Sequence, residues 1–183
     1  MRAALAAEFD ALVDTLAAVP IAVMHRDFQS HNIMVTRGGE AVVDADAVST
    51  EDGTLHLLDF QDAMLGPIVY DAVAFLRDSY VVLTPSELSE LVDQFAASVA
   101  TMAAAGGADA ESITRWFHLQ TVQRKLKDAG RFVYIDRVKK NSSFLQYIPS
   151  SLSYVRNALS LLPELSRLWE LLAQVDPALA EAP

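Results

Sequence analysis

The spacing of apolar residues changes character at Gly66-Pro67. Before that point, IAVM at 21–24, IMVT at 33–36 and LHLLDF at 55–60 are short β-prone runs separated by polar loops. After it, apolar residues recur at helical intervals to the end of the chain. A chain divided in this way predicts a mainly helical α+β unit with a small β-hairpin sheet. AVV at 41–43 is a further strand candidate, Gly38-Gly39 a turn, and the acidic stretch over 37–54 an extended hairpin or insertion. Ahead of the sheet, Leu5, Phe9, Leu12, Val13 and Leu16 keep helical spacing over 2–18, and Pro20 stops the pattern. The helical half predicts elements near 69–82, 85–105, 110–130, 150–161 and 163–175. Pro85 with Ser86 to Ser89 signals one start, and Gly106-Gly107 the stop of that helix. Residues 130–149 read as breaks and carry Arg131, Arg137, Lys139 and Lys140, the most basic stretch. Trp116, Phe117, Leu119, Val122 and Leu126 form a helical stripe whose ordinary place is the core.

Charge narrows the partners. With 14 basic against 24 acidic residues the formal charge is −10, and no basic run occurs, which argues against nucleic acid or an anionic membrane as the main partner. Any phosphate must then be met by metal ions or by local donors. Zero cysteines exclude disulfides, zinc-thiolate sites and thiol nucleophiles. Glu8, Asp10 and Asp14 interrupt the apolar residues near the start, so that segment does not read as a signal peptide. No segment offers about 18 consecutive apolar residues, so no membrane span is expected. The expected location is the cytoplasm.

HRDFQSHN at 25–32 lies between two strand candidates, on a loop where a rigid scaffold can present polar groups. Phosphoryl transfer needs a carboxylate to accept or orient the proton of an attacking hydroxyl. An amide five residues later can turn back to hold a magnesium ion through its oxygen. Asp27 and Asn32 have that spacing. A further carboxylate must bridge the metal and the nucleotide phosphates, and Asp59 at the end of LHLLDF is placed to supply it.

HRDFQSHN followed by LLDFQDAMLGPIVYD resembles the catalytic loop and metal motif of the aminoglycoside phosphotransferases, choline kinases and their relatives, over residues 21–78. DFQDAMLGPIVYDAVAFLRDSY, RWFHLQTVQRKLKDAGRF and YIPSSLSYV extend the resemblance toward bacterial anomeric kinases of N-acetylmuramate and N-acetylglucosamine in cell-wall recycling. This resemblance implies a protein-kinase-like fold, of which residues 1–183 would be the C-terminal lobe, with Mg2+ and ATP as cofactors and a sugar as acceptor. It implies Asp27 as catalytic base and Asn32 and Asp59 as metal and nucleotide ligands. His25 and Asp71 would act as supports of the loop, and helix capping is a sufficient other account of Asp71.

Asp62, Arg77 and Arg124 stand as possible substrate or second-metal contacts, against the simpler roles of loop bonding and surface ion pairs. His31, His56 and His118 lack metal-ligand spacing, and Asp44, Asp46, Glu51 and Asp52 lack the register of a calcium loop. Only 24 residues precede His25 and they read as a helix, so the nucleotide-covering lobe of such kinases is expected to be absent. The isolated lobe is then expected to be inactive, and the surface left open could drive self-association. The competing readings are an aminoglycoside or small-alcohol kinase, a non-catalytic pseudokinase lobe, and a metal-dependent phosphohydrolase built on Asp27, Asp59 and Asp62.

Overall fold

A computed structural model describes residues 1–37, 40–41 and 53–180. Most of the acidic 37–54 stretch, with Asp44, Asp46, Glu51 and Asp52, lies outside the described residues. So does most of the 41–43 strand candidate.

Helix α1 (Arg2–Ala17) buries Leu12 and Leu16, and Pro20 turns the chain into strand β1 (Ile21–Met24). Strand β2 (Ile33–Arg37) is flanked by β3 (Glu40–Ala41) and β4 (Thr54–Leu57) in a three-stranded antiparallel sheet. LHLLDF is therefore shorter as a strand than the sequence predicts: β4 ends at Leu57, and Leu58 to Phe60 leave the ladder. An unanticipated strand, β5 (Met64–Pro67), pairs antiparallel with β1, setting Val23 opposite Leu65 and Ala22 opposite Gly66. MLGP contains glycine and proline, which mark turns in sequence, and an edge position tolerates both.

The helical half is α2 (Tyr70–Leu76), α3 (Pro85–Ala100), α4 (Ala110–Lys139), α5 (Ile148–Leu159) and α6 (Ser166–Ala173). Thr84, rather than the serines after Pro85, caps α3. Its hydroxyl accepts from Glu87 N–H while the Glu87 carboxylate accepts from Thr84 N–H, a reciprocal capping box. Gly106, at φ 64°, occupies the left-handed region that ends the short 3-10 turn after α3. The largest departure from the sequence reading is α4. It runs 30 residues and passes through Gly130 and the basic stretch that read as breaks. A glycine lowers helix propensity by roughly 1 kcal/mol, which the packing of α4 against α5, α3 and α2 readily exceeds.

The apolar stripe packs as expected. Phe117, Leu119 and Val122 are buried, and Trp116 and Leu126 pack at the edge of the core. The main core joins Leu12 and Leu16 of α1 to Val122 of α4, Val155 and Ala158 of α5, and Leu168 and Leu172 of α6. Toward α3, Phe117 closes on Val73, Leu76 and Val92. The two small sheets are different. Val23, Leu55 and Leu65 are more exposed than buried, at 76%, 67% and 61%. No helix among the described residues is long and apolar enough to cross a membrane.

Candidate active site

The loop from His25 to Asn32 is hung from two carboxylates of the α2 segment. Asp71, in the first turn of α2, accepts the backbone N–H groups of His25 and Arg26. Asp78, just past the end of α2, accepts Ser30 N–H at 2.8 Å, the Ser30 hydroxyl at 2.7 Å and Tyr80 N–H at 3.1 Å. Such charge-assisted bonds to backbone fix a loop more firmly than neutral ones. Arg26 sits at φ 73°, a conformation a non-glycine residue keeps only when its surroundings dictate it. His25, nearly buried, places Nε2 2.8 Å from the Leu58 carbonyl and so ties the loop to the end of β4.

That tie brings two distant motifs together. In the β2–β4 register Ile33 faces Leu57, and Leu58 N–H donates to Asn32 O at 2.9 Å. Asn32 and Asp59 therefore emerge from neighbouring strand ends. Asn32 is buried and donates Nδ2 both to the Asp27 carbonyl at 2.8 Å and to Asp27 Oδ2 at 3.1 Å. With the amide nitrogen so committed, Asn32 Oδ1 is left as an acceptor. Asp59, at φ 64°, is exposed and takes one bond, from Gln61 Nε2, at Oδ1. An amide oxygen and a carboxylate are hard donors of the kind magnesium takes, and this ion keeps several waters and phosphate oxygens rather than an all-protein cage. The residues present fit it. Among the described residues no group of three or more His, Asp or Glu is gathered closely enough to hold a metal unaided.

Asp27, Asp59 and Asp62 open onto one cavity of about 390 Å³. Asp27 is half-exposed, with His31 Nε2 3.9 Å from its Oδ2, so one carboxylate oxygen is steered by Asn32 while the group stays accessible. The Asp62 carbonyl lies 3.4 Å from Arg26 Nη1. Helix α4 supplies another wall. Arg124, Lys127, Asp128, Arg131, Phe132 and Ile135 recur at intervals of three and four and so share one helical face. Extension of α4 beyond Gly130 puts Arg131, Phe132 and Ile135 there. Arg124 is buried, lies 4.7 Å over the Tyr70 ring, and reaches the Arg26 carbonyl at 3.4 Å, so it braces the loop from below. Lys125 is fully buried against Asp128 at 3.5 Å and Ser79 at 3.4 Å; burial pushes its pKa down, against the pull of Asp128.

Not every candidate converges. Arg77 faces away from the Asp27 cavity into a separate one, where it lies 4.8 Å over the Tyr154 ring. Asp78, Lys127 and Asp128 were not singled out from the sequence. Asp78 follows Asp71 by seven residues, two helical turns, and that spacing was the available signal.

The model of the phosphotransferase enzyme family matches residues 1–108, more than half of the chain. The chain belongs to that family. Within it, the chain is 32% identical to an N-acetylmuramate/N-acetylglucosamine kinase of Neisseria meningitidis, over 91% of this chain and 45% of the relative. It is 27% identical to a kinase of the same name from Pseudomonas putida, over 90% of this chain and 44% of the relative. A third, from Pseudomonas aeruginosa, is 28% identical over 94% and 46% respectively. The chain thus spans about half the length of the curated relatives it matches.

Proposed function

We propose that the chain is the catalytic and acceptor-binding lobe of a kinase that transfers the γ-phosphoryl group of Mg-ATP to a hydroxyl of an amino sugar, N-acetylmuramate or N-acetylglucosamine, in the cytoplasm. The observation that carries this reading is that Asp27 and Asp59 open onto one cavity, with Asn32 hydrogen-bonded to Asp27 behind it and held beside the Asp59 strand end by the β2–β4 register. Asp27 is the base that accepts the proton of the attacking hydroxyl. Its Oδ2 is oriented by Asn32 and its carboxylate opens to the cavity, which meets the positional requirement before any pKa argument. Asn32 Oδ1 and the Asp59 carboxylate would hold magnesium, which would supply positive charge against the nucleotide phosphates. His25 and Asp71 act through the loop, not on substrate.

The α4 face supports the choice of acceptor. With Asp27 and Asp59 assigned to proton and metal, the side chains that can meet the acceptor include Asp62, Lys127, Asp128, Arg131 and the aromatic pair Phe132 and Phe144. Phe132 stacks on Phe144 with centroids 5.8 Å apart, an apolar surface of the kind a sugar ring packs against. Lys127 and Arg131 beside that surface suit the carboxylate of N-acetylmuramate. The share of the relatives' length spanned here, together with the exposed apolar strands, supports a nucleotide-covering segment outside these residues. The 183-residue chain alone is then a half-site with negligible transfer.

The test is product identification with the longest native polypeptide that contains this chain. Incubated with Mg-ATP and a panel of N-acetylmuramate, N-acetylglucosamine and kanamycin, it should yield a sugar 1-phosphate, read by phosphorus–carbon coupling in NMR. Arg131→Met should raise KM for N-acetylmuramate by about tenfold and for N-acetylglucosamine by less. Phosphorylation of kanamycin in preference to both sugars would overturn the acceptor assignment and leave the phosphotransferase reading standing.

A further inference from the structure

The second cavity, between α3, α4 and α5, has a volume of about 420 Å³, within the range of small-molecule sites. Arg77 lines it and is only 5% exposed, yet its guanidinium Nε is buried without a hydrogen-bond partner, and among the described residues no carboxylate forms an ion pair with it. Its neighbour Asp78 is committed to Ser30 and Tyr80. The Tyr154 ring, 4.8 Å away, and the end of α2 offset part of the cost of burying this cation, but neither offers an anion. His118, on the facing side of α4, also keeps an unpartnered Nδ1. The remaining lining is largely apolar, with Leu88 and Val92 from α3 and Leu161 beyond α5. Asp93 is the acidic side chain on this cavity, and it is exposed to solvent.

We propose that this cavity is a binding site for a small organic acid, distinct from the Asp27 cavity, whose carboxylate pairs with Arg77 and whose apolar body packs on Leu88, Val92 and Leu161. An unpaired guanidinium in a largely dry wall is a poor arrangement without a ligand and a good one with a planar carboxylate, which matches its fork of donors. The apolar lining then selects acids with a hydrocarbon or aryl body over inorganic anions. Burial lowers the Arg77 pKa to about 10, so the group is still cationic at neutral pH.

Benzoate is the probe, and benzamide, equal in shape and uncharged, is its control. Both are titrated into the 15N,13C-labelled 183-residue chain while the Nε–H signal of Arg77 and the methyl signals of Leu88 and Val92 are followed. Benzoate should shift all three groups along one saturating curve, and benzamide should bind at least about tenfold more weakly. Arg77→Lys, which assigns the Nε–H signal by its loss, should weaken benzoate by a similar factor, because an ammonium lacks the planar fork. The proposal is overturned if benzamide matches benzoate, if the shifts never saturate, or if they appear only at Phe132 and Phe144 of the other cavity. Should Arg77→Lys fail to fold, the comparison of the two ligands on the unaltered chain decides alone.

Discussion

At the scale of single residues, the site depends on side chains that fix others in place. Asp78 is 1% exposed and accepts three hydrogen bonds, two of them from Ser30 inside the loop. Asp78→Asn would turn an amide N–H toward those donors, so it should destabilise the chain by roughly 2–4 kcal/mol in urea unfolding, where a surface Asp→Asn change is near neutral. His118 gives a pH test. Burial, with a smaller contribution from Arg77, lowers its pKa to about 4, so the folded protein holds it neutral. Between pH 6.5 and 4 the unfolded chain binds this proton and the folded one does not. Stability is therefore lost as pH falls through that window, by up to about 3 kcal/mol for this group. Comparing unfolding of the parent and His118→Gln at pH 7.5 and pH 5 should show a smaller acid loss in the variant; equal losses would remove His118 as the cause.

At the scale of elements, sequence pattern was informative where it was local. The Asp27–Asn32 spacing, the α1 stripe and the core face of α4 were legible because each is a short-range periodicity. Strand β5 and the anchoring of the loop by Asp78 were not. Both arise from pairing across 40 residues or more, which leaves little trace in a window of ten. The extent of α4 differs from the sequence reading because Gly130 and the charges after it are breaker signals in isolation, whereas Phe132 and Ile135 beyond Gly130 continue the helical face of Arg124 and Asp128 that lines the site cavity. The continuity of α4 is open to a direct check. A Cβ at Gly130 would meet nothing within 4 Å, so Gly130→Ala should stabilise the chain by roughly 0.5–1 kcal/mol in urea unfolding, whereas a true break there would give no gain.

At the scale of the whole molecule, the helical half is a closed core while the two sheets present apolar side chains outward. Val23 and Leu65 face each other across β1 and β5 and are both exposed. A surface of this kind predicts concentration-dependent self-association of the 183-residue chain, weakened by Val23→Thr with Leu65→Thr. A constant monomer mass in sedimentation at all concentrations would contradict it. The account as a whole rests on Asp27 and Asp59 serving one phosphoryl group in different ways. In the longest native polypeptide, kcat and KM would be measured for Asp27→Asn and Asp59→Asn across a magnesium titration. Asp27→Asn should lower kcat by about 10²–10⁴-fold with KM for ATP and sugar little changed, while Asp59→Asn should raise the magnesium requirement and KM for ATP as turnover falls. Near-parental turnover by Asp27→Asn, or an Asp59→Asn variant indifferent to magnesium, would contradict the account.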